Sequence, residues 1–408
     1  MRNRLRKALE ADKHMTRKVL VLSPCDVFPP VHGSSTAIYH TLQFLSETNQ
    51  VSALLCYLYS QRGEVDLERP NLSIHYCRES ALDRLGYKGL IFNPLYYRAA
   101  SQVARAFEPD AIQAELLWTA PVALWLRRKL DVPVVLMQEN VEYQKFVRFG
   151  MTSPFLRFVK WLESWACRSA DRVVALSEVD RDFMIDLYGV PADRFSLIPH
   201  GVDPELFNHR REGAAAARQA LGLSDDVPLL TFVGKLDYIP NIRAVEYIAG
   251  RIAPAVWERY PEAKFAIIGQ GAEALTEYQR DGMIFTGFVD ARASAQPNLS
   301  DYLSASDIVL VPLDSGSGTR LKIVEAASNA RAVVSTRLGA EGQAFVDAEE
   351  ILLTNEVDEA FVGATLRLLA DVTLRERLGR AARAKVLAHY SWQAQVRKME
   401  RVYEELGV

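Results

Sequence analysis

Apolar residues fall in short unbroken runs along the chain, each closed by a glycine, proline or polar turn and followed by a stretch with helical spacing. The first run is KVLVLSP, Lys18 to Pro24. A run without polar alternation suits a strand buried on both faces of a sheet. A loop with Pro29, Pro30 and Gly33 comes next, and Ser34–Glu47 carries the spacing of a helix. VSALLCYLY, AIQAEL, VPVVLMQ, DRVVALS and RFSLIP are further strand candidates, with helical segments between most of them. Strand and helix in alternation predict βαβ units and a parallel sheet.

The pattern stops at HGVDPELFNHRREG and then restarts. LLTFVG, AKFAIIG, GMIFTG, DIVLVPL and RAVVST again read as strands ending near glycine or proline. This organisation predicts an α/β chain of two doubly wound, Rossmann-like domains facing a central cleft. The expected boundaries are a first domain over residues 16–200, a linker over 201–225 and a second domain over 226–388. An amphipathic helix over 389–408 would cross back to the first domain. Open parallel sheets bind ligands beyond the carboxyl ends of their strands, so the site is expected there.

Composition narrows the function. A chain of 408 residues, 49% of them hydrophobic, can bury about two cores. A net charge of -3 argues against nucleic acid as a partner, because phosphate backbones demand a basic surface. Cys25, Cys56, Cys77 and Cys167 are scattered without a CxxC pair, as expected of buried free thiols in a reducing cytoplasm. The histidines form no ligand cluster, so no catalytic metal is expected. The basic start, MRNRLRKALEADKHMTRK, lacks the apolar region of a secretory signal. No apolar run reaches the roughly 18 residues that a membrane span needs.

Three glycine-bearing loops follow strand candidates: FPPVHGSS, FVGKLDYIPN and DSGSGTR. Glycine lets backbone approach a ligand closely, and helix N-termini offer free N–H groups at a positive dipole end. Each loop alone is also what any strand-to-helix turn needs. Together, with cations in two of them, they point to a diphosphate. PHGVDPELF (199–207), FVGKLDYIPNIRAVEYI (232–248), FTGFVD (285–290), GSGTRLKIVEA (316–326) and VVSTRLGAEG (333–342) resemble, in order and spacing, the retaining GT-B glycosyltransferases (glycosyl transferases group 1). ESWACRSADRVVALSEVD resembles the segment before that family's interdomain linker.

The resemblance implies transfer of a sugar from a nucleotide diphosphate sugar, UDP- or GDP-linked, to a glycan or glycolipid acceptor with retention of configuration. The donor is a substrate, and no cofactor is implied. Lys235 stands where the family often has an arginine serving the diphosphate, with Arg320 and Lys322 as further phosphate candidates. Gly33 matches the N-terminal glycine loop, with Ser34 in place of the usual second glycine, and Gly234 opens the loop that carries Lys235. Glu325 corresponds to the acid that meets the nucleotide ribose. The family's other acid, eight positions earlier, is Ser317 here. The sugar is then expected on the N–H groups of Gly316, Ser317, Gly318 and Thr319 and on the hydroxyls of Ser317 and Thr319. Glu139, in QENVE, occupies the slot of a family histidine and is expected to contact donor sugar or acceptor. Catalysis is assigned to Glu139, Lys322 and Glu325. His200 belongs to the linker motif and is expected to be structural. Ala330 and Ala332 replace a usual glycine and proline, a change expected to affect local packing.

Residues 144–170 interleave Lys145, Arg148, Arg157, Lys160 and Arg168 with Phe146, Phe149, Phe155, Phe158, Trp161 and Trp165. Two readings fit: aromatics packed inward beneath solvated charges, or a peripheral contact with an anionic bilayer at the inner face of the membrane. Two alternative functions share the site: a nucleotide-sugar epimerase of the same architecture, and a non-catalytic sugar-nucleotide-binding protein. A dehydrogenase would want a full GxGxxG after the first strand, and none stands there.

Overall fold

The computed structural model describes residues 17–408 except 31–32, 57–64, 66, 79, 153, 292–295 and 317. It forms two compact units, one of the chain up to Pro199 together with Trp392–Val408, the other of His200–Ser391.

In the first unit seven parallel strands lie in the order β3-β2-β1-β4-β5-β6-β7. They are β1 (Lys18–Leu22), β2 (Gln50–Leu55), β3 (Leu72–Tyr76), β4 (Ala111–Glu115), β5 (Val134–Gln138), β6 (Arg172–Ala175) and β7 (Phe195–Leu197). The central strands are buried at nearly every position, as their unbroken apolar runs demand. The helices are α1 (Gly33–Leu45), α2 (Pro94–Phe107), α3 (Leu116–Leu130), α4 (Glu142–Arg148), α5 (Pro154–Ser169) and α6 (Glu178–Tyr188). They help divide the apolar residues into one core on each face of the sheet. All four cysteines are buried and unbridged.

The second unit repeats the plan with six strands in the order β10-β9-β8-β11-β12-β13. These are β8 (Leu229–Val233), β9 (Lys264–Ile268), β10 (Met283–Gly287), β11 (Ile308–Val311), β12 (Ala332–Thr336) and β13 (Leu352–Thr354). Its helices are α7 (Arg211–Ala220), α8 (Ile239–Tyr247), α9 (Ala253–Trp257), α10 (Leu299–Ala305), α11 (Leu321–Ser328), α12 (Glu359–Ala370) and α13 (Val372–His389). In both sheets the winding direction reverses beside the first strand, between β1 and β4 and between β8 and β11. Loops that leave the carboxyl ends of such a pair frame the crevice in which open parallel sheets bind ligands.

The structure corrects the expected linker. Val202 and Phe207 are buried in the core of the second unit, and Ala217 of α7 is fully buried there. α7 packs so closely on α10 that a Cβ at Gly213 would stand 1.9 Å from Asp301 Oδ1. The sequence REGAAAARQA is polar on one side and small on the other, and the small side lets two helices touch. The returning helix α14 (Trp392–Glu405) begins at Trp392 rather than at 389, because α13 continues to His389. α14 is part of the first unit, where Trp392 stacks on His40 at 5.4 Å and Tyr403 donates to Gln113. Strands β3 and β13 were not foreseen. β3 alternates half-buried and exposed positions at a sheet edge, and β13 has three residues.

The aromatic–basic segment mostly packs. α5 buries Val159, Leu162, Ala166 and Cys167, while Phe155, Phe158 and Trp165 lie half-buried against the same core. Trp161 is the exception, 60% exposed and stacked on Trp165. Lys88 sits 4.1 Å from the centre of the Phe155 ring. Among the described residues no helix is long and apolar enough to cross a membrane.

After α11 the chain closes with the paired bonds of a Schellman turn, Arg331 N–H to Ala326 O at 3.0 Å and Ala330 N–H to Ala327 O at 2.9 Å. The left-handed position of that turn falls on Ala330, with φ 55°. A side chain there is strained, whereas glycine is not. Ala330→Gly should therefore stabilise the chain by about 0.5–1 kcal/mol, the greater freedom of unfolded glycine offsetting part of the relief. Urea unfolding measures it, and an unchanged or lower midpoint would show that Ala330 carries no strain.

Candidate active site

In the second unit the loops after β8 and β11 meet at the reversal point. Gly234 donates its N–H to Ile268 O at 2.9 Å, and a Cβ at Gly234 would lie 2.8 Å from the side chain of Asn241. The open side of Gly234 is thus filled by Asn241 of α8, a reason for glycine that the sequence reading did not contain. The Asn241 amide donates to Lys235 O at 2.8 Å and accepts from Lys322 Nζ at 3.0 Å. Lys235 points outward, in an ion pair of 3.1 Å with the exposed Asp237.

The loop after β11 begins with Asp314, which accepts from Tyr247 Oη at 2.7 Å and pairs with Arg243. Gly316 has φ 105° and Gly318 φ 74°, conformations that a Cβ would strain. Ser317 lies outside the described residues. Thr319 Oγ1 is 3.3 Å from His200 Nδ1, and burial lowers the pKa of His200 to about 4, which leaves the imidazole neutral. Arg320 is the buried N-cap residue of α11, and its carbonyl accepts from Gln343 at 2.8 Å.

Lys322 and Glu325 are one turn apart on α11, on the same side of the helix. Lys322 keeps part of its surface open, yet it stands over the Phe232 ring at 4.3 Å. Desolvation, then repulsion from Arg320, bring its pKa down to about 7, with Glu325 pulling the other way. Among the described residues Lys322 has no ion pair. Glu325 is buried, and desolvation raises its pKa to about 7 against the pull of Lys322. It caps no helix: the N-cap position is Arg320 and carries no side-chain cap. Capping and solvation, the ordinary uses of a helical glutamate, therefore do not account for it.

In the first unit Glu139 follows β5 and is buried, within hydrogen-bond reach of Ser34 at the start of α1, next in sequence to the exposed Gly33. Desolvation raises its pKa to about 7. A hydrogen bond from Ser34 opposes the rise, Glu142 adds to it and Lys145 opposes it. The two departures from the family pattern, serine for glycine and glutamate for histidine, are thus in contact. Glu163 of α5 holds the turn that carries Glu139. It accepts from Gln138 Nε2 at 2.9 Å, from Glu142 N–H at 2.8 Å and from Tyr143 N–H at 3.0 Å. Burial raises the Glu163 pKa to about 7, and a hydrogen bond from Tyr188 is the main force against that rise. Behind Glu139 lies Glu115 at the end of β4, raised to about 8 by burial and then by Glu139 itself. Sequence reasoning missed Asn241, Glu115 and Glu163. Asn241 and Glu163 stood inside quoted motifs, but nothing in a motif says which side chain a fold turns inward. Among the described residues no group of three or more His, Cys, Asp or Glu is placed to hold a metal ion.

Comparison with known proteins finds a family model on each half of the chain. The model described as Glycosyltransferase Family 4 matches residues 31–206, and that described as Glycosyl transferases group 1 matches residues 227–371. A D-inositol 3-phosphate glycosyltransferase of Kribbella flavida is 28% identical over 323 residues, 72% of this chain and 73% of that protein. A glycogen synthase of Mycobacterium tuberculosis is 25% identical over 308 residues, 73% of this chain and 69% of that protein. Among solved structures, a sucrose-phosphate synthase from Thermosynechococcus elongatus superposes with a TM-score of 0.80 at 20% identity, covering 96% of this chain and 99% of that one. HepE of Anabaena, solved in complex with UDP-glucose, superposes with a TM-score of 0.74 at 17% identity, covering 96% and 100%. At these identities the two structures establish a shared fold.

The raised pKa of Glu139 has a thermodynamic sign. A carboxyl that titrates near 7 when folded and near its ordinary 4.5 when unfolded binds more protons in the folded state between those limits. Stability is therefore lost as pH rises through that window. Glu139→Gln removes the penalty, so the variant should match the parent near pH 4.5 and exceed it at pH 8 by on the order of 3 kcal/mol. Denaturant unfolding at the two pH values checks this, and a gap independent of pH would mean that Glu139 ionises without cost.

Proposed function

The chain belongs to the glycosyl transferases group 1 family, with the GT-B fold, and from that premise we propose that it moves a hexosyl group from a UDP- or GDP-sugar to a glycan or glycolipid acceptor with retention of configuration. The observation that carries this reading is in the second unit. A lysine without an ion pair among the described residues, a buried carboxyl without a capping role and two left-handed glycines converge where the winding of the sheet reverses. Breaking a sugar–phosphate bond puts negative charge on a diphosphate and positive charge on the anomeric carbon. Preorganised donors at the leaving group are the main lever on such a step.

In this reading Lys322, Arg320 and Lys235 serve the diphosphate, and Glu325 accepts from the ribose hydroxyls. Gly234, Gly316, Ser317, Gly318 and Thr319 offer backbone and hydroxyl groups to phosphate and sugar. In the first unit Gly33 gives close backbone approach, and Glu139 contacts donor sugar or acceptor. No resident cofactor or metal is part of the proposal. The exposed Trp161, flanked by Lys160 and Arg157, supports a glycolipid acceptor met at an anionic surface on the cytoplasmic side of a membrane.

The test begins with thermal-shift screening of nucleotides and nucleotide sugars, since a ligand of the folded state raises its stability. UDP-glucose, the ligand named for HepE, is the first donor to try. Glu325→Ala should weaken nucleotide binding about 10- to 100-fold with the fold intact, the cost of losing charge-assisted hydrogen bonds. Unchanged affinity would refute the ribose assignment. With a donor and acceptor in hand, Glu139→Gln should slow turnover more than it weakens donor binding. A new sugar epimer formed from donor and enzyme alone would favour the epimerase reading, and binding without transfer the non-catalytic one.

Flotation with anionic vesicles tests the surface contact. Association should fall with added salt and with Trp161→Ala. No salt-sensitive association would leave the aromatic segment with a packing role alone.

A further inference from the structure

One residue in the second unit touches both the loop after β8 and Lys322 of α11, and no part of the proposed function uses it. Asn241 lies in the first turn of α8 and is buried. Its amide is used at both ends: Nδ2 donates to Lys235 O at 2.8 Å, and Oδ1 accepts from Lys322 Nζ at 3.0 Å. The loop after β8 is thereby tied to the side chain of a helix that follows β11. Space for the tie comes from Gly234, where a Cβ would press on the Asn241 side chain at 2.8 Å.

Resting on the donor reading above, we propose that Asn241 is the positioning residue of the phosphate site, aiming Lys322 while leaving its charge free for the ligand. A neutral amide suits this task better than a carboxylate. An aspartate at 241 would hold the ammonium at the same distance, but it would neutralise it and compete with the incoming phosphate. It would also set a carboxylate oxygen against Lys235 O, with no proton to share. A leucine would fill the same volume and hold nothing.

The charged and titratable groups around Lys322 are consistent with this division. On its own helix Arg320 repels it and Glu325 attracts it. On the facing loop Lys235 is already paired with Asp237. From β8 the Phe232 ring meets it at 4.3 Å. Lys322, whose pKa is lowered to about 7, is largely neutral at pH 8. A phosphate dianion next to it favours the ammonium, so binding takes up a proton.

The experiment is titration calorimetry with UDP and with GDP at pH 8, in two buffers of different ionisation enthalpy. Both nucleotides carry a fully ionised diphosphate at that pH, so uptake reports the protein. The parent should take up a fraction of a proton on binding. Asn241→Leu and Asn241→Asp should each lose about tenfold in affinity, the worth of one charge-assisted hydrogen bond. Asn241→Asp should also lose the proton uptake, because its lysine is charged beforehand. In a Lys322→Met background, Asn241→Leu should cost almost nothing more.

Equal cost of Asn241→Leu in both backgrounds would overturn the proposal, since a residue that merely glues the loop acts without Lys322. So would parent-like affinity and uptake in Asn241→Asp, a near-isosteric change that keeps the proposal open to test should the leucine variant fail to fold. If Lys322→Met binds as the parent does, or the parent binds neither nucleotide, the donor reading itself fails. If Lys322→Met weakens binding while the Asn241 variants do not, this inference alone fails.

Discussion

Parallel pairing is the constraint from which the rest of the site follows. When neighbouring strands run the same way, every strand delivers its following loop to the same end of the sheet. β8 and β11 are such neighbours, paired at Ile308 with Leu230 and at Val309 with Thr231. Residues 234–241 and 314–325 are far apart in sequence, yet the pairing leaves them no other place to go than side by side. The glycines then decide how close the loops come. Gly269 has φ 152°, and a Cβ there would stand 1.8 Å from Gly234 O. Gly234 in turn accommodates Asn241. Two missing side chains in succession let the loop after β8 fold down until its amide reaches Lys322.

That chain of contacts marks the limit of what the sequence discloses. Runs such as VLVL and IVLV can be read directly, because burial on both faces leaves no polar alternation to interpret. The left-handed glycines are legible too, in a loop too small-sided to be a core. The segment 201–225 misled because its polar residues suggest a linker, while its contacts depend on what lies opposite. Ala217 is buried only because α10 offers it a partner. Asn241 misled for the same reason: an asparagine after proline at a helix start is ordinary, and only the fold brings a lysine from residue 322 to its oxygen. Sequence shows which residues can do chemistry. Which of them meet is decided by strand order.

Buried carboxyls set a second theme. Glu115, Glu139, Glu163 and Glu325 all titrate near or above neutral because desolvation outweighs their partners. Each makes the folded chain bind protons that the unfolded chain releases, so each lowers stability as pH rises from the ordinary carboxylate range toward 7 or 8. Glu163 has a structural return for that cost, since it ties Gln138, Glu142 and Tyr143 into one turn. No comparable tie accounts for Glu325. Groups that are strained electrostatically without a structural return are where function is expected to reside.

Glu139 brings the two themes together. The resemblance read from the sequence puts a histidine in its slot, and a glutamate is a poor substitute if only charge is compared. Burial alters the comparison. With a pKa near 7 the carboxyl holds or releases a proton in the range where imidazole does. Protonated, it donates a hydrogen bond as an imidazole N–H would. Ionised, it can stabilise a developing positive charge, which neutral imidazole does less strongly. Ser34, standing in a glycine slot, donates to the carboxyl and opposes the rise in its pKa. Without that hydroxyl the group would titrate higher still and lose its ionised form at neutral pH. The two residues therefore act on one another: the glutamate supplies a titratable oxygen, and the serine holds its pKa near neutral.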